Sequence, residues 1–189
     1  MPRADARQAL GLDAGHRTVL VMGGGLGLGV EEMAMATLAS RVEDLQVVAV
    51  CGRNAEAKAR LEGVRLPPER LRVCGYVDAV EHYLAAADVV VTKPGGLTSS
   101  EALAVGRPLL LTRAIPGQEV GNTRALVSAG AAVSAPDGRA LREAVEAVFG
   151  TEGLLGELAD AARRIGRPGS APAVAEAVRA EYLWEAEAA

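Results

Sequence analysis

Aromatic residues are scarce in this chain: one Trp, three Tyr and one Phe among 189 residues, or 3 %. The core must therefore be built from Ala, Val and Leu, as it is where helices cover a sheet. Cysteine is scarcer still. Cys51 and Cys74 are too few for a disulfide framework and suit a reducing compartment. There is no excess of positive charge: the formal net charge is -4 and the pI about 5.3, whereas a nucleic-acid binder would show a basic face. No apolar run reaches the roughly 18 residues of a membrane span. The opening MPRADARQAL has no apolar segment behind its basic residues, so it does not read as a secretory signal. His/Cys clusters and Asp-x-Asp pairs are also missing. The two histidines, His16 and His82, read as structural. The length is that of one soluble cytoplasmic domain.

What the chain does have is an alternation of two pattern lengths. Short β-branched runs occur at Thr18–Met22, Leu45–Val50, Leu71–Tyr76, Asp88–Thr92, Pro108–Thr112 and Ala131–Ser134. They are continuous rather than alternating, as expected of strands buried on both faces of a parallel sheet. Ala-rich segments with helical spacing lie between them, at Val30–Ser40, Asn54–Leu61, Asp78–Ala87, Thr98–Val105, Gln118–Ala129 and Gly138–Phe149. Six βα units in succession predict an α/β, Rossmann-like doubly wound fold with a six-stranded, mainly parallel sheet. The expected organisation is a single domain, 1–189, with a core over about 10–150 and a helical tail over 151–189 broken at RPGSAP.

Such sheets bind ligands beyond the carboxyl ends of their strands, and three βα loops are unusual. The first is GGGLGLG, Gly23 to Gly29, whose glycines allow close approach of backbone N–H groups to an anion. It lacks the G-x-G-x-x-G spacing of a dinucleotide site, and Gly52 and Arg53 stand where an acidic ribose contact would be. Arg53 leaves a 2′-phosphate, and so NADP, open. No Gly-Lys-Ser/Thr closes the loop, which excludes a P-loop. The second loop is TKPGGLTSSEALA, Thr92 to Ala104. Gly95 and Gly96 offer backbone donors, and Thr98 and Ser99 add hydroxyls at a helix start expected near Thr98. Together they suit a diphosphate. Glu101 has two readings of equal weight: an acceptor for a ribose diol, or the closing residue of a Thr98–Glu101 capping box. The third is IPGQEVGN, Ile115 to Asn122, with a turn at Pro116-Gly117 and a helix from Gln118. Gln118, Glu119 and Asn122 could meet a polyol or form an ordinary polar first turn.

The combination GGGLGLG, CGYVD, TKPGGLTSSEALA and IPGQEVGN, in this order over roughly Leu10 to Phe149, resembles the C-terminal half of the GT-B glycosyltransferases that make glycolipids. The resemblance is closest to the monogalactosyldiacylglycerol synthases and diacylglycerol glucosyltransferases, and more distant to the MurG family. It implies a UDP-sugar donor domain of a lipid-directed hexosyltransferase. By this resemblance Gly23, Gly24, Gly25 and Gly27 face the donor diphosphate, and Tyr76 and Val77 read uracil through backbone groups. Gly95, Gly96, Thr98 and Ser99 hold the diphosphate and Glu101 the ribose. Gln118, Glu119 and Asn122 meet the hexose. It implies no cofactor and no metal. The partners it implies are an N-terminal acceptor-binding half carrying the catalytic base and, through that half, a lipid acceptor at the inner face of a membrane. A UDP-sugar epimerase and a non-catalytic nucleotide-sugar subunit of a split glycosyltransferase are the alternatives. The EYLWEAEAA tail, with the sole Trp, is expected to dock on that other half.

Overall fold

In the computed structural model, residues 1–113 and 118–182 are described, with Gln118 and Tyr182 described by backbone alone. Six strands form one parallel sheet: β1 (Arg17–Met22), β2 (Leu45–Val50), β3 (Leu71–Cys74), β4 (Val89–Thr92), β5 (Leu109–Leu111) and β6 (Ala132–Ser134). Their order across the sheet is β3-β2-β1-β4-β5-β6. The winding therefore reverses between β1 and β4. Six helices follow the strands in turn: α2 (Val30–Leu38), α3 (Ala55–Glu62), α4 (Val80–Ala86), α5 (Gly96–Ala104), α6 (Gln118–Ser128) and α7 (Gly138–Gly150). Side-chain alternation sends Val19, Val21, Val47, Ala49, Val89 and Val91 to the α2/α3/α7 face. Leu20, Val48, Val50, Val90 and Leu109 go to the α4/α5 face. Both faces are dry, which is why the strand runs are continuously apolar.

Local chemistry sets several helix ends. The Asn54 side chain accepts from the Ala57 N–H at the start of α3, and Asp137 accepts from the Ala140 N–H at the start of α7, each satisfying an orphan donor. After α7 the tail is helical and is broken between two helices. Helix α8 (Leu154–Ile165) lays Leu158, Ala159, Ala161 and Ala162 onto the domain, extending the core beyond residue 150. Helix α9 (Ser170–Tyr182) exposes every described side chain. Leu183 and Trp184 of the expected docking tail lie outside the described residues.

A helix that the sequence pattern did not reveal precedes β1. It is α1, Arg3–Leu10, closed by Gly11 in the left-handed conformation. Its two arginines serve the amino-terminal edge of the sheet. Arg7 is 6 % exposed and donates to the Ala86 carbonyl at 3.0 Å, the Ala14 carbonyl at 2.9 Å and Asp88 at 2.7 Å. Asp88 also accepts from the Thr18 N–H at 2.8 Å and pairs with Arg3 at 2.7 Å. Arg107 donates to the Leu84 and Ala85 carbonyls at 3.0 and 2.9 Å. Burial, with Arg3 nearby, pushes its guanidinium down to about 10. Two cations thus satisfy the last carbonyls of α4, where the helix dipole is negative, and the Asp88 carboxylate pairs with one of them, Arg7. A polar, arginine-bearing segment reads as surface in a hydrophobicity pattern, which hides this helix.

Asp88→Ala would leave Arg7 buried beside an empty position. The expected cost is about 3–5 kcal/mol of folding stability, read from guanidinium denaturation. A loss below about 1 kcal/mol, the range of an exposed pair, would contradict this role.

Candidate functional site

Loops that follow the strands meet at the carboxyl edge of the sheet around the β1/β4 reversal, and the glycines there do different jobs. A Cβ on Gly23 would stand 2.4 Å from the Gly27 carbonyl carbon, and one on Gly27, at φ +59°, would stand 1.9 Å from the Cys51 carbonyl oxygen. These two glycines permit close packing of the loop on itself and on the β2–α3 connection. Gly24 and Gly25 have open space where a side chain would project. They are the two whose backbone a ligand could approach. The loop is fixed from within by Gly27 N–H to Gly24 O and Leu28 N–H to Gly23 O, at 2.9 and 3.0 Å. It is fixed from outside by Arg53 N–H to Gly25 O at 3.0 Å and the Asn54 amide to Gly27 O at 3.3 Å. The helix behind it, α2, carries Glu31 and Glu32 in its first turn. Two carboxylates oppose an anion at that helix end, so the α2 terminus is less suited to an anion than the open glycines.

Helix α5 has the opposite character. It begins at Gly96, two residues before the expected start at Thr98, with Gly95 as a cap that supplies no side chain and with no acidic residue in the first turn. The leading N–H groups of a helix have no intrahelical acceptor; here they are those of Gly96, Leu97 and Thr98. Ser99, three and four residues before Ala102 and Leu103, shares their buried stripe. It is 4 % exposed, and its Oγ is buried without a hydrogen-bond partner. Ser99 therefore does not present its hydroxyl at the surface as expected, whereas Thr98 is only half-buried. The start at Gly96 also removes the capping-box reading of Glu101, because Thr98 is the third helical residue and makes no cap. Glu101 is exposed. Partial burial of its carboxyl end, with the Glu81 carboxylate adding, holds its pKa above the usual 4.5.

The start of α6 is brought against this corner. The Asn122 side-chain amide donates to the Pro94 carbonyl at 2.9 Å, so its N–H is committed to holding the β4–α5 loop. Glu119 Oε1 lies 3.8 Å from where a Cβ on Gly95 would stand. The side chain of Gln118 and the turn expected at Pro116-Gly117 lie outside the described residues. Beside the corner, a cavity of about 400 Å³ opens between Leu28, Gly29, Lys93, Arg113 and Asp137. In the β3–α4 loop Tyr76 is 60 % exposed, with the Arg53 guanidinium 5.6 Å from its ring centroid. Val77 is half-buried and packs, as Val80 and Tyr83 do, against the core of the α4/α5 face. His16 precedes β1 at the other end of the sheet, and His82 lies in the first turn of α4, just after the β3–α4 loop. Among the described residues no group of three or more His, Cys, Asp or Glu is gathered. No helix of the described residues is long and apolar enough to cross a membrane.

This is a Rossmann-like domain whose carboxyl sheet edge carries a glycine-rich loop and a helix, α5, that starts without a side-chain cap. Residues 18–150 match the glycosyltransferase family 28 C-terminal domain. The processive diacylglycerol beta-glucosyltransferase of Bacillus licheniformis is 35 % identical over 150 residues, which are 78 % of this chain and 39 % of that protein. The crystal structure of Acinetobacter baumannii MurG superposes with a TM-score of 0.68 at 22 % identity, covering 95 % of this chain and 53 % of that one. Anabaena HepE in complex with UDP-glucose superposes at 0.65 and 17 %, covering 86 % and 47 %. The fold is that of the C-terminal half of GT-B enzymes, and the chain belongs to glycosyltransferase family 28 through its C-terminal domain. It spans about two fifths of the length of the curated relatives it matches.

Two consequences separate the roles of these residues. Gly27→Ala should cost about 2 kcal/mol or more, through left-handed strain and the Cys51 carbonyl. Gly25→Ala should stay within about 0.5 kcal/mol of the parent. Equal denaturation midpoints for the two variants would contradict the division. For Glu101, the folded carboxyl keeps its proton to higher pH than the unfolded one. Its contribution to stability is therefore present below pH 4.5 and is lost as pH rises through the folded pKa. Glu101→Gln should remove that fall in a denaturation series run from pH 4.5 to neutrality. Parallel curves for the two chains would count against it.

Proposed function

We propose that this chain is the UDP-sugar donor-binding domain of a lipid-directed hexosyltransferase, working without a metal on a diacylglycerol-type acceptor. The observation that carries the reading is the uncapped, acid-free start of α5 beside the open glycines Gly24 and Gly25, with the Glu101 carboxylate further along the same helix. The names of its relatives support transfer of glucose to diacylglycerol lipids.

In this reading the N–H groups of Gly96, Leu97 and Thr98, with the backbone of Gly24 and Gly25, hold the diphosphate. The helix end adds about 0.3–1 kcal/mol, while each hydrogen bond to the charged group adds ~1.5–3 kcal/mol, so the hydrogen bonds dominate. The Glu101 carboxylate accepts from the ribose hydroxyls. Tyr76 and Val77 flank the base, and Gln118, Glu119 and Asn122 lie on the hexose side. The same N–H groups favour departure of UDP, because negative charge grows on the diphosphate as the bond to the sugar carbon breaks. The acceptor site and the base that deprotonates the acceptor hydroxyl belong to the part of the relatives that this chain does not span. Hexose transfer is accordingly expected only with that part supplied, either in the same polypeptide or as a separate subunit.

Glu101→Ala should weaken UDP binding by about ten-fold or more, the loss of one charged hydrogen bond, with the thermal midpoint nearly unchanged because Glu101 makes no cap. Calorimetric titration of both chains with UDP measures it. Unchanged affinity would remove Glu101 from the site.

A further inference from the structure

The side chain of Arg53 has no role in the site so far, yet its surroundings are specific. The chain has five aromatic residues. Of the described aromatic side chains, Tyr83 and Phe149 are partly buried, and Tyr76 is the exposed one, at 60 %. A chain this short of aromatics leaves one ring in water, on a loop at the ligand edge. The Arg53 guanidinium sits 5.6 Å from that ring's centroid.

The backbone beneath Arg53 is unusually constrained. Its N–H is bonded to the Gly25 carbonyl at 3.0 Å. The preceding Gly52, at φ +57°, lies where a Cβ would come within 2.6 Å of that same carbonyl oxygen. The following Asn54 caps α3 and bonds the Gly27 carbonyl. Arg53 therefore springs from the one point where the glycine loop and the β2–α3 connection are locked together. The charges around it are taken: Lys58 is paired with Glu62, and Arg60 with Glu31 and Glu56. None of the ion pairs of the described residues involves Arg53. A carboxylate paired with the guanidinium would draw it off the ring.

We propose that Arg53 is a positioning residue that holds the Tyr76 ring as a flat platform on which the nucleotide base stacks. One side of the ring is occupied by the guanidinium and the other is left to the base. Stacking accepts any planar base, so the platform adds affinity for the nucleoside, while the choice of uracil is left to the backbone at residues 76 and 77. This inference rests on the nucleotide-sugar reading above.

The test follows uridine and UDP by proton NMR titration into the full chain and its R53A, R53K, Y76F and Y76A variants. With the parent chain and Y76F, the uracil H5 and H6 signals should move upfield on binding, from the ring current of the residue at 76. Y76A should lose that shift and bind uridine and UDP about five-fold or more weaker, the low end of what a base–aromatic stack contributes. R53A should lose roughly two- to five-fold for both ligands by the same factor, the range of an exposed cation–π contact, and show a smaller upfield shift. R53K, which keeps a cation over the ring, should recover most of it. If R53A weakens UDP but leaves uridine unchanged, Arg53 touches phosphate and the platform is overturned. Unchanged binding of both ligands by R53A overturns it too, while leaving the nucleotide reading intact. A parent chain that binds neither ligand overturns both.

Discussion

The reversal of winding between β1 and β4 is the constraint on which the rest of this structure depends. Every strand is parallel, so every βα loop leaves at one edge. Because the order runs outward in both directions from the β1/β4 pair, the helices after those two strands pass to opposite faces, and the loops between them part to leave a crevice. The close approach of Gly27 to the Cys51 carbonyl then sets how far the glycine loop can stand from the sheet. A larger residue at that point would lift the loop and carry Gly24 and Gly25 away from the start of α5. Asn122 performs the same service on the other side by holding the Pro94 carbonyl. The site is thus a set of backbone groups kept in place by packing, with few side chains committed to the ligand itself.

The two ends of the sheet divide the work. At the amino edge, Arg7, Arg107 and Asp88 are buried and bonded to one another or to the last carbonyls of α4. Charges are desolvated there, and each is met by a hydrogen-bond partner. At the carboxyl edge the helix start of α5 is left without a side-chain cap, Tyr76 is exposed, and Glu101 holds its proton more tightly than an ordinary glutamate. Unmet donors and a partly desolvated carboxyl are features a chain would discard if stability alone decided them. They are intelligible where a ligand completes them.

Much of this was legible in the residues, and the failures have physical reasons. The six strands follow from continuous β-branched runs, since burial on both faces leaves a one-dimensional signature. The family follows from the order of its loops. The start of α5 was placed at Thr98, because hydroxyl and carboxylate side chains announce a cap, whereas a helix that opens on Gly96 with a bare glycine before it announces nothing. That two-residue difference is why the capping alternative for Glu101 fell away, whereas Ser99 turns inward because it shares a helix face with Ala102 and Leu103. Helix α1 escaped because its contribution is polar: arginines that reach carbonyls and a carboxylate distant in sequence leave no periodic trace. Which glycines face a ligand and which merely allow close contact is likewise a three-dimensional property, and GGGLGLG reads the same for either use.

The account stands on the claim that a nucleoside diphosphate sugar lies across the β1/β4 reversal, on the open glycines and the start of α5. The most direct measurement is amide chemical-shift mapping of the 15N-labelled chain during titration with UDP-glucose. The account predicts saturable shifts centred on Gly24, Gly25, Gly96, Leu97 and Thr98, with Tyr76 and Val77 following, and quiet amides around Arg7 and Asp88. Shifts clustered at the amino edge of the sheet, or a flat spectrum throughout the titration, would contradict it.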